Sequence, residues 1–476
     1  MIKQILAILV CTLPFTVKAQ EKWGLRKCVD YALKNNITIK QADVQARVAA
    51  LMLKQSKFNQ IPTASFSSGV GVQFGRSIDP TSNQFTTTQF LSQNFSLQGG
   101  AEIFNFGRLR NAAAAAGFSA QAALTDVARA QNDISLNVAS YYLQVLAAKQ
   151  QIDISEIQLQ QTMAQLEDTK KRVEAGALPE LNQAELESQL ATDSSNLITA
   201  KSTFQQNVLF LKALLNIDAA SPFEVDTPPV EQIPVESFAD LQPDVVYELA
   251  SGSQPLQKED SLKILAQQKS ILSSKASMYP SLSGFYSLGS AFNNQAQEVI
   301  GSTIINNPPI GKVNVGGTDY NVVSNQAFVE NTYGKTKYFN QLNHNFNQAV
   351  GLSISIPIFN NGTARNNYQR SKLSLESLQL QKQQDDQTLK SNIYTAYSNS
   401  VAAFEKYNAS IKSVMAAQKT YDFASERYKV GLLSTFELIT DQNNLLTAKL
   451  QLLANHYDYV FKMKVLEFYK GQGIKL

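Results

Sequence analysis

The sequence contains an internal tandem duplication, so any fold proposed for it must provide the same elements twice. Residues 103–111 (IFNFGRLRN) match residues 358–366 (IFNNGTARN) at an offset of 255 positions. The same offset relates Gly176 to Gly431. Similarity that returns at a fixed offset indicates a structural unit that has been copied. The chain is therefore predicted to contain two versions of one arrangement of strands and helices.

The duplication divides the chain into a leader, two copies and a connector. Residues 1–19 have the early lysine, the apolar stretch and the small residue before a cleavage site that are typical of a signal peptide. The first copy spans 20–220 and the second spans 245–476, and the proline-rich stretch 221–244 is predicted to be a linker. Upstream of the strands the offset is 218, so the second copy carries 37 extra residues (255 minus 218), predicted to be an inserted loop at 293–345.

Each copy has two segments in which apolar residues alternate with small polar residues, as in a strand with two unlike faces. These segments are 64–74, 94–104, 282–292 and 348–358. Their polar faces are rich in Ser, Gly and Gln, which favours a water-filled lumen over the surface of a soluble sandwich. Beyond the leader we find no apolar run near the ~20 residues of a membrane helix, so any membrane crossing is expected to use strands.

The number of predicted strands constrains the assembly. Four strands do not close a barrel, because the smallest known barrels have about eight. An open sheet edge in lipid leaves backbone groups unpaired at a cost of several kcal/mol each. The strands therefore predict a barrel built from several chains, and two, three or four copies all satisfy this argument.

A long helical hairpin follows each pair of strands. Nothing breaks a helix between Arg108 and Gly176, and a helix of nearly that length spans on the order of 100 Å. Its apolar positions follow the steps of four and three residues that are typical of a coiled-coil seam, interrupted by Ser155 and Thr162. The seam consists of Ile134, Val138, Tyr141, Val145, Ala148, Ile152, Leu159 and Leu166. The return helices carry large apolar residues seven apart: Leu190, Leu197, Phe204 and Leu211, then Leu445, Leu452, Tyr459 and Leu466. The tips of the two hairpins are predicted at Gly176 and Gly431.

In this organisation the chain resembles the TolC-like outer-membrane efflux protein family. The resemblance covers nearly all of the chain after the leader and rests on the duplication and the two strands in each copy. It also rests on a Phe-x-x-Gly-x-x-Arg run that occurs at 104–110 and again at 359–365, and on the tip motif Arg-Tyr-x-x-Gly at 427–431. A carboxylate and a leucine, Glu437 and Leu438, follow that tip as they do in the family.

The resemblance implies a homotrimer in the cell outer membrane, in contact with its lipid. Three chains would form a twelve-stranded transmembrane β-barrel, and their coiled-coil helices would form an α-helical tunnel in the periplasm. The implied function is a passive exit duct of a tripartite efflux or type I secretion system, with a periplasmic adaptor (membrane fusion) protein and an inner-membrane transporter as partners. The alternative is a soluble periplasmic coiled-coil adaptor or scaffold, which would lack four strands of bilayer length.

The candidate functional residues lie at the predicted tips. Gly176 and Gly431 are expected to end their helices with positive φ, and Arg172 and Arg427 to cap the last carbonyls. The resemblance adds docking of the adaptor around all four residues. The first copy departs from the family motif, because Val173 replaces the tyrosine and Asn182 replaces the carboxylate.

Three acidic residues near the tips are candidates for a periplasmic gate. Glu167 and Asp422 share the offset of 255, and Asp168 is adjacent to Glu167. In a symmetric tube each position becomes a ring of identical charges, and such rings select cations or control opening. The alternative is a solvated helix face.

The sequence contains no motif for catalysis or cofactor binding. His344 and His456 are its two histidines and are too far apart in sequence to argue for a metal site, while removal of the leader leaves Cys28 as the single cysteine. The net charge is +3 with 17% charged residues, which gives no basic patch for nucleic acid. We therefore expect no enzymatic activity, no cofactor and no nucleic-acid partner.

Overall fold

The computed structural model describes residues 22–78, 83 and 85–471, and the predicted signal peptide at 1–19 lies outside them. The helices are α1 Leu25–Asn35, α2 Ile37–Phe58, α3 Arg108–Glu174, α4 Glu180–Leu215, α5 Pro243–Ser253, α6 Pro255–Ala276, α7 Tyr338–His344, α8 Thr363–Lys429 and α9 Thr435–Tyr469. The strands are β1 Thr63–Ile78, β2 Phe85–Phe104, β3 Ser281–Asn293, β4 Gln297–Ile305, β5 Pro309–Val315, β6 Thr318–Val323, β7 Phe328–Lys335 and β8 Asn347–Ser355. The chain divides into two compact units, one of residues 53–114 and 269–372 and one of the remaining residues. No described helix is long and apolar enough to cross a membrane.

The first unit contains an antiparallel four-stranded sheet in the order β1-β2-β3-β8. Its register pairs Phe66 with Leu97, Leu97 with Leu288, and Tyr286 with Val350. Because residues directly opposite one another lie on the same face, the apolar sets of the four predicted strands form one continuous surface. That surface is open in the single chain, where Phe66 is 68% exposed and Val350 is 87% exposed. The four predicted strands and their two unlike faces are confirmed.

The strands differ in length from the roughly ten residues expected. β2 has 20 residues and begins at Phe85, because its pairing with β1 continues beyond the predicted segment 94–104 as far as the pair Phe85–Ile78. β8 has nine residues and ends at Ser355, short of the predicted 348–358. Pro357 lacks the N–H that a ladder needs, which explains the early end. Within the described sheet, β1 pairs only with β2 and β8 only with β3, so each has one unpaired edge.

The segment 293–345, predicted to be an inserted loop, has regular structure. β4 pairs with β7, β5 pairs with β6 inside them, and α7 follows. Gly316 and Gly317, with φ of +65° and +91°, form the two-residue turn between β5 and β6. Register shifts near Gly301 and Gly311 interrupt both ladders and disturb the alternation of side chains along the sequence. Because of these bulges, the alternation of apolar and polar residues does not predict the two hairpins.

The second unit is built mainly from the two long helical hairpins. α3 and α8 have 67 residues each, and their return helices α4 and α9 have 36 and 35. Most of the predicted seam of α3 is buried, with Val138 and Val145 fully inaccessible. Ser155 and Thr162 are buried as well, so they continue the seam rather than interrupt it. The predicted heptad of α4 is buried fully only at Leu211, while its other three members are partly buried.

A belt of short elements packs against α3 and α4. Trp23 forms a bridge with Val225, and the Tyr142 hydroxyl donates to the carbonyl of Asp226 at 2.6 Å. Cys28 is fully buried in this cluster, and burial raises the pKa of its thiol to about 12. The stretch predicted as a linker, 221–244, contains a short 3₁₀ helix and contributes side chains to the same cluster.

Candidate functional site

Tip 1 (residues 172–182) has the backbone geometry of a glycine-terminated helix. Gly176 has φ of +73°, and its N–H donates to the carbonyl of Val173 at 2.8 Å. The N–H of Ala177 donates to the carbonyl of Arg172 at 2.8 Å. This pair of bonds satisfies carbonyls that the end of a helix otherwise leaves unpaired. Glycine at this position is therefore explained by helix termination alone.

Tip 2 (residues 427–437) repeats that backbone geometry. Gly431 has φ of +76° and donates to the carbonyl of Tyr428 at 3.0 Å, and Leu432 donates to the carbonyl of Arg427 at 2.8 Å. The two tips are thus equivalent in their main chain, as the duplication predicts. They differ in the side chains that follow the turn.

The return helix of tip 2 begins with a complete capping box. The Ser434 hydroxyl accepts from the N–H of Glu437 at 3.2 Å, and the Glu437 carboxylate accepts from the N–H of Ser434 at 3.2 Å. Hydrogen bonds from the backbone and side chain of Ser434 lower the pKa of Glu437. The carboxylate of the tip motif therefore stabilises the start of α9.

The return helix of tip 1 has no such cap. Pro179 occupies the position of Ser434, and no side chain at this N-cap forms a hydrogen bond to the helix. Asn182 occupies the position of Glu437. Its backbone N–H donates to the carbonyl of Pro179 at 3.1 Å. The departure from the tip motif seen in the sequence thus has a structural consequence.

Two tyrosines join the hairpin of tip 2 to α3. The Tyr428 hydroxyl lies 2.9 Å from the Thr169 hydroxyl, and both side chains are buried. The Tyr421 hydroxyl accepts from the Gln165 amide at 3.0 Å. The position of Tyr428 is held in tip 1 by Val173, which has no polar group to form an equivalent bond.

The two arginines at the tips donate to carbonyl groups outside their own helices, whereas the sequence predicts bonds to the last carbonyls of those helices. Arg172 forms an ion pair with Asp168 at 2.9 Å and donates to the carbonyl of Lys429 at 3.3 Å. Arg427 donates to the carbonyl of Leu432 at 3.3 Å. Arg172 therefore links tip 1 to the last residue of α8, whereas Arg427 acts within its own turn.

The three candidate gate residues lie on exposed helix faces. Glu167 forms an ion pair with Lys171 at 3.0 Å, and hydrogen bonding to that lysine lowers the pKa of Glu167. Asp422 accepts from the Gln418 amide at 2.8 Å. Asp168 and Glu167 thus each have a basic residue one turn further along, while Asp422 has a neutral partner.

The sequence did not single out the apolar side chains that the tips expose. In tip 2 these are Val430, Leu432 and Phe436, each 67–69% exposed. The matching positions in tip 1 are smaller at two of three places, Ala175 and Ala177, with Leu181 at the third. Exposed apolar groups in a cluster mark interaction sites. The sequence signal for this cluster is the set of apolar residues around a predicted exposed turn.

A buried polar layer lies further along the hairpins and was also missed. The Thr162 hydroxyl donates to the Asp193 carboxylate at 2.7 Å, and the Gln189 amide donates to the same carboxylate at 2.8 Å. From α9, the Gln442 amide donates to Thr162 at 3.2 Å, and Asn443 exchanges hydrogen bonds with Gln189 at 3.1 Å. The sequence signal for this layer is the polar residue Thr162 within the apolar heptad. The hydrogen-bond partner of Thr162, Asp193, lies 31 residues further along the chain.

Comparisons with known proteins agree with this architecture. The model of the family "Outer membrane efflux protein" matches residues 28–216 and 248–471, one stretch in each copy. The outer membrane efflux protein BepC of Brucella suis is 25% identical over 157 residues, which cover 31% of this chain and 34% of BepC. The pyoverdine export outer membrane protein OpmQ of Pseudomonas putida is 29% identical over 167 residues, covering 35% of this chain and 33% of OpmQ. The aligned stretches thus span about a third of each of these relatives.

Several solved structures share the fold over almost the whole chain. CusC has a TM-score of 0.75 at 16% identity, covering 96% of this chain and 95% of CusC. The CmeC outer membrane channel of Campylobacter jejuni has a TM-score of 0.71 at 19% identity, covering 95% and 86%. The open state of the MtrE outer membrane channel of Neisseria gonorrhoeae has a TM-score of 0.71 at 18% identity, covering 95% and 89%. The family match spans most of the sequence in two copies, and the chain belongs to the outer membrane efflux protein family.

Proposed function

We propose that this chain is a passive exit duct in the outer membrane, serving a tripartite efflux or type I secretion system. The observation that carries the proposal is the open four-stranded sheet, whose apolar face is exposed and whose two outer edges are unpaired in the single chain. An exposed apolar sheet face suits lipid, and unpaired edges in lipid require further strands. The polar face of the sheet would line the water-filled path, and no catalytic step is involved.

The proposed assembly is a homotrimer. β1 of one copy would pair with β8 of the next, which removes both open edges at once. Three sheets of four strands give a twelve-stranded barrel, and the choice of three rests on the family resemblance. The helical hairpins of the three copies would together enclose a periplasmic tunnel.

The tips are the proposed contact with a periplasmic adaptor protein that is itself bound to an inner-membrane transporter. Support comes from the exposed apolar residues of tip 2, Val430, Leu432 and Phe436. Gly176, Gly431, Arg172 and Arg427 would act by fixing the shape of the turns on which a partner docks. A docking surface that combines a fixed backbone with a few large apolar groups is typical of protein interfaces.

Glu167, Asp168 and Asp422 would form rings of negative charge at the periplasmic entrance. In the single chain all three are exposed, and the first two are partly balanced by Lys171 and Arg172. Asp422 accepts from the neutral amide of Gln418 and is the strongest candidate for cation selection. Replacing Asp422 with asparagine is expected to lower the cation preference of the pore, measured as the reversal potential in a salt gradient.

The experiment that tests the proposed duct is reconstitution of the purified protein in a planar lipid bilayer. We expect long-lived, discrete conductance steps after insertion from detergent. A protein that is released in water without detergent and gives no conductance steps would favour the alternative, a soluble periplasmic adaptor or scaffold. The same assay with a control variant, Asp386→Asn at a half-buried position of α8 that pairs with Lys382, should leave the conductance unchanged.

A further inference from the structure

Phe285 on β3 lies on the polar face of the four-stranded sheet. The register pairs Phe285 with Gly100 on β2 and with Gly351 on β8. Its neighbours on the same face along β3 are Ser283 and Ser287, since side chains two apart share a face. The aromatic ring of Phe285 therefore faces the path of the proposed duct and not the lipid.

The other residues of this face are small or polar. Where all four strands pair, a part of the sheet that the structure describes in full, Phe285 is the one aromatic residue on the polar face. The remaining positions hold serine, threonine, glycine, alanine, asparagine, glutamine and glutamate. A large apolar ring is thus an exception to the pattern that favours a water-filled lumen.

A glycine on the neighbouring strand makes room for the ring. A Cβ atom on Gly351 would lie 2.6 Å from Cζ of Phe285, closer than real Cβ atoms approach other atoms. The ring therefore extends across β8, with its far edge over the backbone of Gly351. A larger residue at position 351 would displace it. Covering a glycine with an aromatic ring from the next strand also stabilises a sheet.

This stabilising role leaves the exposure of the ring unexplained. Phe285 is 46% exposed in the single chain, so nearly half of its surface stays open to solvent on a wall of small polar groups. Exposed aromatic surface in water gains free energy when it packs against another apolar group, and aromatic partners fit it best. The open part of the ring is therefore suited to contact a molecule from outside the chain.

The exposed ring forms part of an open groove of about 540 Å³ at the end of the sheet next to α3. Thr63 and Ser283 line the groove with hydroxyl groups, and Glu102 and Arg108 line it with an ion pair. Small-molecule sites in proteins have volumes of about 300–1,000 Å³ and combine apolar surface with a few polar groups. The groove has both properties.

The charges in the groove balance one another. The Glu102 carboxylate accepts from the Arg108 guanidinium and from the Asn105 side-chain amide, the latter at 2.8 Å. The side chains of Arg108 and Glu102 are 36% and 30% exposed, so both remain within reach of a ligand. Because the ion pair carries no net charge, the groove is suited to a neutral ligand with polar substituents.

We propose that Phe285 and this groove form a contact site on the duct wall for neutral solutes that carry a planar aromatic group. The aromatic group packs against the Phe285 ring, and the polar substituents reach the hydroxyls of Thr63 and Ser283. The inference rests on the proposed duct and names one class of solute that the duct retains during passage. In the proposed homotrimer a passing solute meets three such rings at one level of the path.

The test is single-channel recording of the purified full-length protein in a planar lipid bilayer, with millimolar N-acetyltryptophanamide as the probe. We expect short interruptions of the wild-type current, and Phe285→Leu should shorten them about fivefold, because leucine covers Gly351 but offers no aromatic ring. Phe285→Tyr keeps the ring and should keep the interruptions. N-acetylleucinamide, an aliphatic probe, should give interruptions in the wild type as short as those of the tryptophan probe in Phe285→Leu.

A matched control is Phe66→Leu, the same substitution on the opposite face of the sheet. Phe66 is 68% exposed on the apolar face, so its replacement should leave the interruptions at the wild-type length. If Phe285→Leu gives no channels, Phe285→Met provides the same comparison with a flexible apolar side chain.

Two results would overturn the contact site while the duct stands. One is conductance with interruptions of equal length in the wild type and Phe285→Leu. The other is equal interruption of the wild type by both probes, which would mean that the size of the solute and not its aromatic group controls passage. A wild-type protein without any conductance steps would refute the duct itself, and the contact site with it.

Discussion

The two helical hairpins share one backbone design and differ in the polar side chains that hold it together. Both end in the same glycine turn, with φ of +73° and +76°. Hairpin 1 (α3 and α4) has a buried carboxylate, Asp193, where hairpin 2 (α8 and α9) has Ala448. Hairpin 2 has a capping box at its tip and a buried tyrosine, where hairpin 1 has Pro179 and Val173. The duplication kept the shape of the hairpins, while each copy acquired its own means of fixing its register and its tip.

The largest effect is expected from Asp193→Ala, which gives hairpin 1 the residue of hairpin 2. The change leaves the Thr162 hydroxyl and the Gln189 amide buried with one acceptor fewer, at a cost of about 3 kcal/mol in the free energy of unfolding. The double variant Thr162→Ala/Asp193→Ala, which copies Ala417 and Ala448, should cost less than the sum of its single variants. Guanidinium unfolding followed by helical circular dichroism measures both. An additive double variant would show that the layer is not a connected network.

Tyr428→Val makes tip 2 resemble tip 1 and should cost about 2 kcal/mol, because it removes a buried ring and the bond to Thr169. Tyr428→Phe keeps the ring and isolates the hydroxyl, with an expected cost of about 1 kcal/mol. The same unfolding measurement applies. Equal midpoints for Tyr428→Phe and the wild type would mean that the phenol adds nothing to the link between hairpin 2 and α3.

Leu432→Asp should weaken docking of a periplasmic adaptor more than its counterpart Ala177→Asp does. Leu432 is 67% exposed and offers a large apolar group, whereas Ala177 offers only a methyl group. Loss of one central apolar contact corresponds to roughly tenfold weaker binding, and we expect less than threefold at tip 1. Surface plasmon resonance with the purified adaptor measures both. Equal losses at the two tips would contradict the asymmetry inferred here.

Ser434→Ala removes the N-cap of α9 and should cost about 1 kcal/mol. At tip 1 the reverse change, Pro179→Ser together with Asn182→Glu, introduces a capping box and should add stability of a similar or smaller size. Hydrogen exchange of the first turn of each return helix locates the effect. Unchanged exchange at α9 in Ser434→Ala would show that the capping box does not control this helix end.

The smallest effect is a pH dependence confined to tip 2. The pKa of Glu437 is lowered by its bonds to Ser434, so its contribution is present above its ordinary pKa and is lost as the pH falls through the lowered value. The Tm difference between wild type and Glu437→Gln should therefore shrink as the pH falls from about 6 to 3. Asn182→Gln at tip 1 should show no such trend. A Tm difference between wild type and Glu437→Gln that grows as the pH falls would contradict a stabilising role of the ionised Glu437 carboxylate.

Periodicity predicted the parts of this fold in which one face is uniformly apolar. It located the long helices and the strands around Phe66, Leu97 and Val350. In these elements the strand alternation or the helical repeat alone determines which side chains share the apolar face. The hairpins of the segment 293–345 were missed because bulges disturb their alternation. The sequence pattern predicts an interruption of the seam at Thr162, because the partner of Thr162, Asp193, lies on another helix and pairing across helices leaves no periodic trace. The tip glycines were predicted from turn chemistry, while the use of Glu437 as a cap required coordinates.

The central claim is that the two open edges of the sheet are closed by copies of the same chain. Sedimentation equilibrium of the protein extracted by detergent from outer membranes, corrected for bound detergent, tests it most directly. The account predicts a particle with the mass of three chains that remains in the membrane fraction until detergent is added. A particle with the mass of one chain, or a protein released in water with the periplasmic contents, would contradict it.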